Sequence, residues 1–226
     1  MRRTSCALLL HALLKFAAGL LAAGLLLFLP AGTLNYPGAR RLLVLLFVPL
    51  LLVGAVLFFR APALLQKRLR AREPQAAQRG VVAASGLLFV LGFAAAGLDF
   101  RFGWTSVPPW LVRAASLLLL AAYACYAEVL RENAWLSRTV EVQRGQRVID
   151  TGLYGIVRHP MYLATLALFL SIPLVLGSWV SFAAFLPYPA LLVRRIRSEE
   201  AVLRAQLPGY AAYMRQVRYR LVPFLW

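Results

Sequence analysis

Met161–Val193 reads MYLATLALFLSIPLVLGSWVSFAAFLPYPALLV, 33 residues without one charged side chain. As a single helix it would run about 50 Å, against a hydrocarbon core of about 30 Å. It therefore does not fit as one span. Pro173, Gly177, Ser178 and Trp179 supply a break near its middle. The reading that results is a helical hairpin with arms over about 161–176 and 178–194. Each arm is slightly short, so packing or local thinning of the bilayer must compensate.

Four further apolar runs lie upstream, at about Ala7–Leu29, Leu42–Phe59, Val81–Leu98 and Pro109–Leu130. Each is long enough to cross a bilayer. With the hairpin they give an all-α, polytopic integral membrane bundle of about six membrane helices. The 62% hydrophobic composition agrees, since soluble domains sit near half apolar. Two regions are expected: 1–80, with two spans and a basic loop, and 81–226, a membrane core with a C-terminal binding region.

Charge orients the bundle. Six spans put both ends on one side, and 20 of the 25 Lys and Arg then fall on that side. Only Arg40, Arg41, Arg101 and Arg113 fall opposite, with Lys15 inside the first span. The bias predicts cytoplasmic termini. The net charge of +17 is thereby read as orientation and headgroup attraction. A nucleic-acid partner is not expected, because the cations sit between spans rather than on a soluble face. Arg2-Arg3 before an apolar run resembles a signal peptide, but the run continues to Leu29 without a convincing cleavage site. Lys15 and His11, one turn apart, are expected to snorkel to the interface. Cys6 and Cys125 offer no disulfide framework, and His11 and His159 no metal cluster, so no metal is expected.

Two polar segments share the basic side. In the first, Glu128, Arg131, Glu132 and Asn133 extend the fourth span as helix. Alternation at Val140–Gln143, a turn at Arg144-Gly145-Gln146 and the Gly152/Tyr154/Gly155 region follow. Pro160 suits the first turn of the next helix, where its missing N–H costs nothing. Free N–H groups there, beside Arg158 and His159, would suit a carboxylate or phosphate. In the second segment Ile196, Leu203, Leu207, Tyr210, Tyr213/Met214 and Val217 recur at helical spacing, predicting an amphipathic C-terminal helix. Glu199 and Glu200 lie on or beside that stripe, and Leu207-Pro208-Gly209 should break it.

Together these segments predict a pocket at the membrane edge. Its ligand would offer an anion to Arg158 and a cation or hydroxyls to Glu199 and Glu200. Tyr154, Tyr162, Tyr210 and Tyr213 would form aromatic walls. S-adenosylmethionine has that mixture of groups. NADPH is the competitor, with more phosphate charge and less use for paired carboxylates.

Over residues 125–226, Gly152-x-Tyr154-x-x-Val157-Arg158-His159-Pro160-x-Tyr162, then Glu199-Glu200-x-x-Leu203, Tyr210-x-x-Tyr213 and Arg220-x-x-Pro223 resemble the isoprenylcysteine carboxyl methyltransferase family. That family is grouped with the phospholipid N-methyltransferases. The resemblance implies an integral membrane methyltransferase that binds S-adenosylmethionine on the cytosolic side. A lipophilic acceptor would enter from the bilayer, and a bacterial inner membrane is the expected location. Tyr154, Val157, Arg158, His159, Pro160, Tyr162, Glu199, Glu200 and Tyr213 become cofactor-binding candidates, with Arg158, His159 and Glu200 as catalytic candidates. Asn133 falls on an Asn-containing helix end. Two departures stand out: Ala164 where many members carry Gly, and Leu207-Pro208-Gly209 where Phe-Gly is common. An NADPH-dependent membrane reductase of the sterol-reductase kind shares a similar C-terminal fold and motif, and a non-catalytic lipid-binding protein is the third reading.

Overall fold

The computed structural model describes residues 2–69, 76–136 and 142–226. Val140 and Glu141, the first half of the expected alternation, lie outside the described residues. All regular elements among the described residues are helical. They run α1 Arg2–Ala31, α2 Pro37–Arg60, α3 Pro62–Leu69, α4 Ala76–Phe102, α5 Pro109–Glu132, a 3₁₀ turn Gly152–Gly155, α6 Pro160–Leu176, α7 Trp179–Phe185, α8 Tyr188–Gln206 and α9 Tyr210–Gln216. Helices α1, α2, α4 and α5 are long and apolar enough to cross a membrane, and α6 is a shorter apolar helix. The chain is a polytopic helical bundle.

The hairpin forms, and its turn is where the sequence placed it. Gly177 adopts φ +84°, a left-handed cap that ends α6. The Ser178 hydroxyl then accepts a hydrogen bond from the Ser181 N–H at 3.0 Å and starts α7. Pro173 stays inside α6; its carbonyl receives the Ser178 N–H instead. The second arm is not one helix. It breaks again after Phe185, and Pro187 with Pro189 starts α8. Pro at the first positions of a helix is tolerated, but in an interior it removes a hydrogen bond, so α7 and α8 are separate pieces.

Helix packing without a hydrophobic gradient relies on close fit and small residues. Gly97 lets α4 lie against α1: a Cβ there would sit 2.6 Å from the Leu27 carbonyl. Gly92 lets α7 approach, and the Ser181 hydroxyl donates to the Gly92 carbonyl at 2.8 Å. Around these contacts Leu27, Leu42, Phe93, Leu119, Ile172, Val175 and Phe185 form one fully buried cluster. Tyr36 stacks on Phe100 with centroids 4.1 Å apart and donates to the Leu176 carbonyl at 2.9 Å. Lys15 does more than reach the interface: its ammonium donates to the carbonyl of Leu69, the last residue of α3.

Gly92→Ala should lower the unfolding temperature in detergent. The new Cβ would lie 2.3 Å from Phe185 Cε2, and that ring is fully buried against Phe89 and Phe169. Overpacking of this kind costs about 1–3 kcal/mol. Gly86→Ala on the same helix meets nothing within 4 Å and should not destabilise.

Candidate functional site

The segment from Thr151 to His159 wraps the end of α5. Gly152 takes φ +54°, and a Cβ there would sit 3.0 Å from the Glu132 carboxyl carbon. The Thr151 hydroxyl donates to Glu132 Oε2 at 2.7 Å. This delivers Tyr154 into the bundle. Asn133 Nδ2 donates to the Tyr154 hydroxyl at 2.9 Å, and the Tyr213 hydroxyl donates to the Tyr154 carbonyl at 2.7 Å. One tyrosine thus ties α5 to α9. Burial pushes the Tyr154 phenol up to about 12, although the Asn133 hydrogen bond opposes it. Burial likewise raises Tyr210 and Tyr213, so all three are neutral phenols at neutral pH.

Arg158 and His159 precede Pro160 as expected, but their N–H groups are not free. The chain after α9 runs beside them, and Tyr219 and Arg220 accept from the two N–H groups at 2.9 Å each. The C-terminal tail therefore occupies the two N–H groups that precede α6. The tail also holds the Arg158 guanidinium. One Nη donates to the Val217 and Arg218 carbonyls at 2.7 and 2.9 Å, while Nε donates to Glu200 Oε1 at 2.7 Å. The other Nη makes no hydrogen bond among the described residues.

Glu200 is the hub of this arrangement. Besides Arg158 it receives Arg220 Nε on Oε2 at 2.7 Å, and His159 Nε2 lies 3.3 Å from Oε1. Its side chain and that of Arg158 are 5% and 4% exposed. Burial alone would raise the Glu200 carboxyl; hydrogen bonds from His159, Arg220 and Arg158 outweigh that and hold it at about 2. Glu199 does something different. Its carboxylate accepts from the Tyr162 hydroxyl, which also receives Arg195 Nε at 2.9 Å.

These groups wall a cleft of about 830 Å³, its open mouth included. Of the residues singled out in the sequence, Tyr154, Arg158, His159, Tyr162, Glu199, Tyr210 and Tyr213 line it, and Asn133 joins them. Val157 is buried, and Pro160 and Glu200 are buried beside it; none of the three lines the cleft. Trp135, Gln146, Arg147, Ile149 and Arg195 line it without having been foreseen. The polar run from Gln143 to Asp150 was the available signal for three of them.

A second cavity, about 1,350 Å³ with its open mouth, lies between α4, α5, α6 and α8. Its walls are apolar at Val81, Val82, Phe89, Phe169 and Leu192, with Gly86 and Thr165 between them. It shares Met161, Tyr162 and Arg195 with the cleft, so those three side chains border both spaces.

Comparison with known proteins bears on this region. The family model described as phospholipid methyltransferase matches residues 111–208. A mouse Delta(14)-sterol reductase is 33% identical over 91 residues, which is 39% of this chain. The match spans about a fifth (22%) of that relative's length. The stretch matched by the phospholipid methyltransferase model, residues 111–208, contributes Arg158, His159, Tyr162 and Glu199 to the cleft.

Proposed function

We propose that the chain is an S-adenosylmethionine-dependent methyltransferase acting on a lipophilic acceptor, with the cleft on the cytoplasmic side of a bacterial inner membrane and both termini on that side. The observation that carries this reading is that Met161, Tyr162 and Arg195 border both a polar, aromatic cleft and an apolar cavity. A polar methyl donor and a greasy acceptor need such a junction.

The residues fit the donor. The open Nη of Arg158, with Arg147 at the mouth, suits its carboxylate. Glu199 suits its ammonium or ribose hydroxyls, and Trp135, Tyr210 and Tyr213 offer faces for the adenine. When bound, S-adenosylmethionine supplies a methyl made electrophilic by a sulfonium. The protein's part is positioning at roughly 3–3.5 Å and exclusion of water. Tyr162 stands at the junction, its hydroxyl fixed between Arg195 and Glu199. Glu200, held at about 2, is a weak base, and it acts through Arg158 and Arg220. A carboxylate acceptor would need no base. For an amine or thiol acceptor, His159 is the imidazole that lines the cleft.

Incubation with methyl-labelled S-adenosylmethionine and native membranes should place label in an organic-soluble product, alkali-labile if the acceptor is a carboxylate and alkali-stable if it is an amine or thiol. Absence of labelled product beyond a boiled control contradicts the reading. Gly86→Leu should narrow the apolar cavity, since Gly86 has open space above it. Acceptor KM should rise about tenfold or more, with cofactor affinity unchanged, as expected for removal of acceptor binding alone. The partial match to a sterol reductase supports a second reading, in which the same cleft takes NADPH. Preferential binding of NADPH would decide for it.

A further inference from the structure

A further apolar groove of the bundle lies beside the acceptor cavity, with which it shares no lining residue. It is walled by α2 from Leu52 to Arg60, by α3, and by α5 and its end from Ala127 to Trp135. The Tyr123 hydroxyl donates to the Leu46 carbonyl at 2.7 Å and ties α2 to α5 at one end of it. From Leu52 to Arg60 the helix rises about 12 Å. Against a half-core of ~15 Å, the floor takes the headgroup-proximal part of an acyl chain. Val56 on that floor is 60% exposed.

The charged end of the groove is one-sided. Arg60 is exposed and has no carboxylate partner among the described residues. Lys67 gives its ammonium to the neutral Gln143 Oε1 at 2.6 Å and sits 5.6 Å over the Trp135 ring. Arg131 is paired with Glu128 and Glu132, a triad of net charge −1, so the end of the groove keeps a net positive charge through Arg60 and Lys67. These two cations and an indole crown an apolar trough at the end of α2, the expected headgroup level. Trp is favoured at that level because its ring is amphipathic.

We infer that this α2–α3–α5 groove holds an anionic glycerophospholipid, acyl chain along Val53–Leu57 and phosphate against Arg60 and Lys67. Anionic headgroups gain about 1 kcal/mol for each nearby Lys or Arg, and a zwitterionic headgroup brings its own cation to the same place. The site is distinct from the cavity assigned to the acceptor, because the two have no lining residue in common. The site stands whether or not the chain transfers methyl groups. Trp135 lines both this groove and the polar cleft, so the bound lipid would abut the wall of that cleft.

Native mass spectrometry of the full chain in detergent, titrated in parallel with phosphatidylglycerol and phosphatidylcholine, tests this. The native chain should retain phosphatidylglycerol about tenfold better. The Arg60→Gln, Lys67→Gln double variant should hold the two lipids alike. Val56→Trp, which fills the floor and leaves both charges, should lose the retained adduct. Binding of glycerol 3-phosphate as strong as that of the lipid would make this a phosphate site and overturn the proposal. Equal retention of both lipids by the native chain, a preference that survives the double variant, or a dimer without lipid in place of the adduct would overturn it as well.

Discussion

Glu200→Ala is expected to destabilise the bundle by about 3–5 kcal/mol and to lower its unfolding temperature sharply. Removing this carboxylate leaves the Arg158 guanidinium, 4% exposed, as an unpaired buried cation, and it also releases Arg220 and His159. The Arg158 bonds to Val217 and Arg218 would remain, but carbonyls do not neutralise a charge. Glu200→Gln keeps the shape and loses the charge, so it should fall between. Unfolding of purified protein in detergent, followed by circular dichroism at neutral pH, reads both. A loss below about 1 kcal/mol for Glu200→Ala would mean that the cluster does not hold the tail. The same carboxylate sets a pH dependence. Its folded value, about 2, lies below its ordinary 4.5. Its contribution is therefore complete above about 4.5 and is lost as pH falls toward 2, and it amounts to about 3 kcal/mol. In Glu200→Gln that segment of the acid-unfolding curve should flatten.

The second large loss is expected at the opposite end of the bundle. Asp99 near the end of α4 is 1% exposed. It accepts the Thr105 N–H at 2.7 Å, the Thr105 hydroxyl at 2.5 Å and the Ser178 hydroxyl. Ser178 is the cap that starts α7, and Thr105 in turn accepts the Trp179 N–H at 3.1 Å. One carboxylate thus joins the turn after α4 to the tip of the hairpin. Asp99→Ala would strand three donors, each worth about 1–3 kcal/mol when buried without a partner. A total loss of about 3 kcal/mol or more is expected. Asp99→Asn should recover part of it, because one oxygen still accepts while the new amide cannot accept from Ser178. Ligand affinity at the cleft should not change in whatever fraction remains folded, since the cleft is formed by other residues. A large change in affinity with little change in stability would show that Asp99 acts on the site.

Much of this was legible in the sequence, because the decisive signals are local. The uncharged run from Met161 to Val193 is too long for one span, and Gly177-Ser178 carries both a left-handed cap and an N-cap hydroxyl. Pro160 and Leu207-Pro208-Gly209 mark helix ends for equally local reasons. The second break, at Leu186-Pro187, is local too, and Pro187 with Pro189 was the overlooked evidence. What the sequence could not show is which distant carbonyls meet a given N–H. The carbonyls of Tyr219 and Arg220 take the N–H groups of Arg158 and His159 across some 60 residues of chain. The twin carboxylates illustrate an intermediate case. Neighbours on a helix point about 100° apart, and here Glu199 and Glu200 meet different partners. Which of them turns to Tyr162 and which to Arg158 is set by the packing of α8 against α6. The walls contributed by Gln146, Arg147 and Ile149 come from a loop without periodicity, which gives no directional signal.

The account rests on a cleft that holds a sulfonium nucleoside, and calorimetry in detergent tests that most directly. S-adenosylmethionine should bind at a single saturable site and be displaced by S-adenosylhomocysteine. Glu199→Gln should bind it at least tenfold more weakly while unfolding at the same temperature as the native chain, because Glu199 lines the cleft and is no part of the Arg158–Glu200 cluster. No heat with S-adenosylmethionine, together with saturable binding of NADPH, would contradict the account.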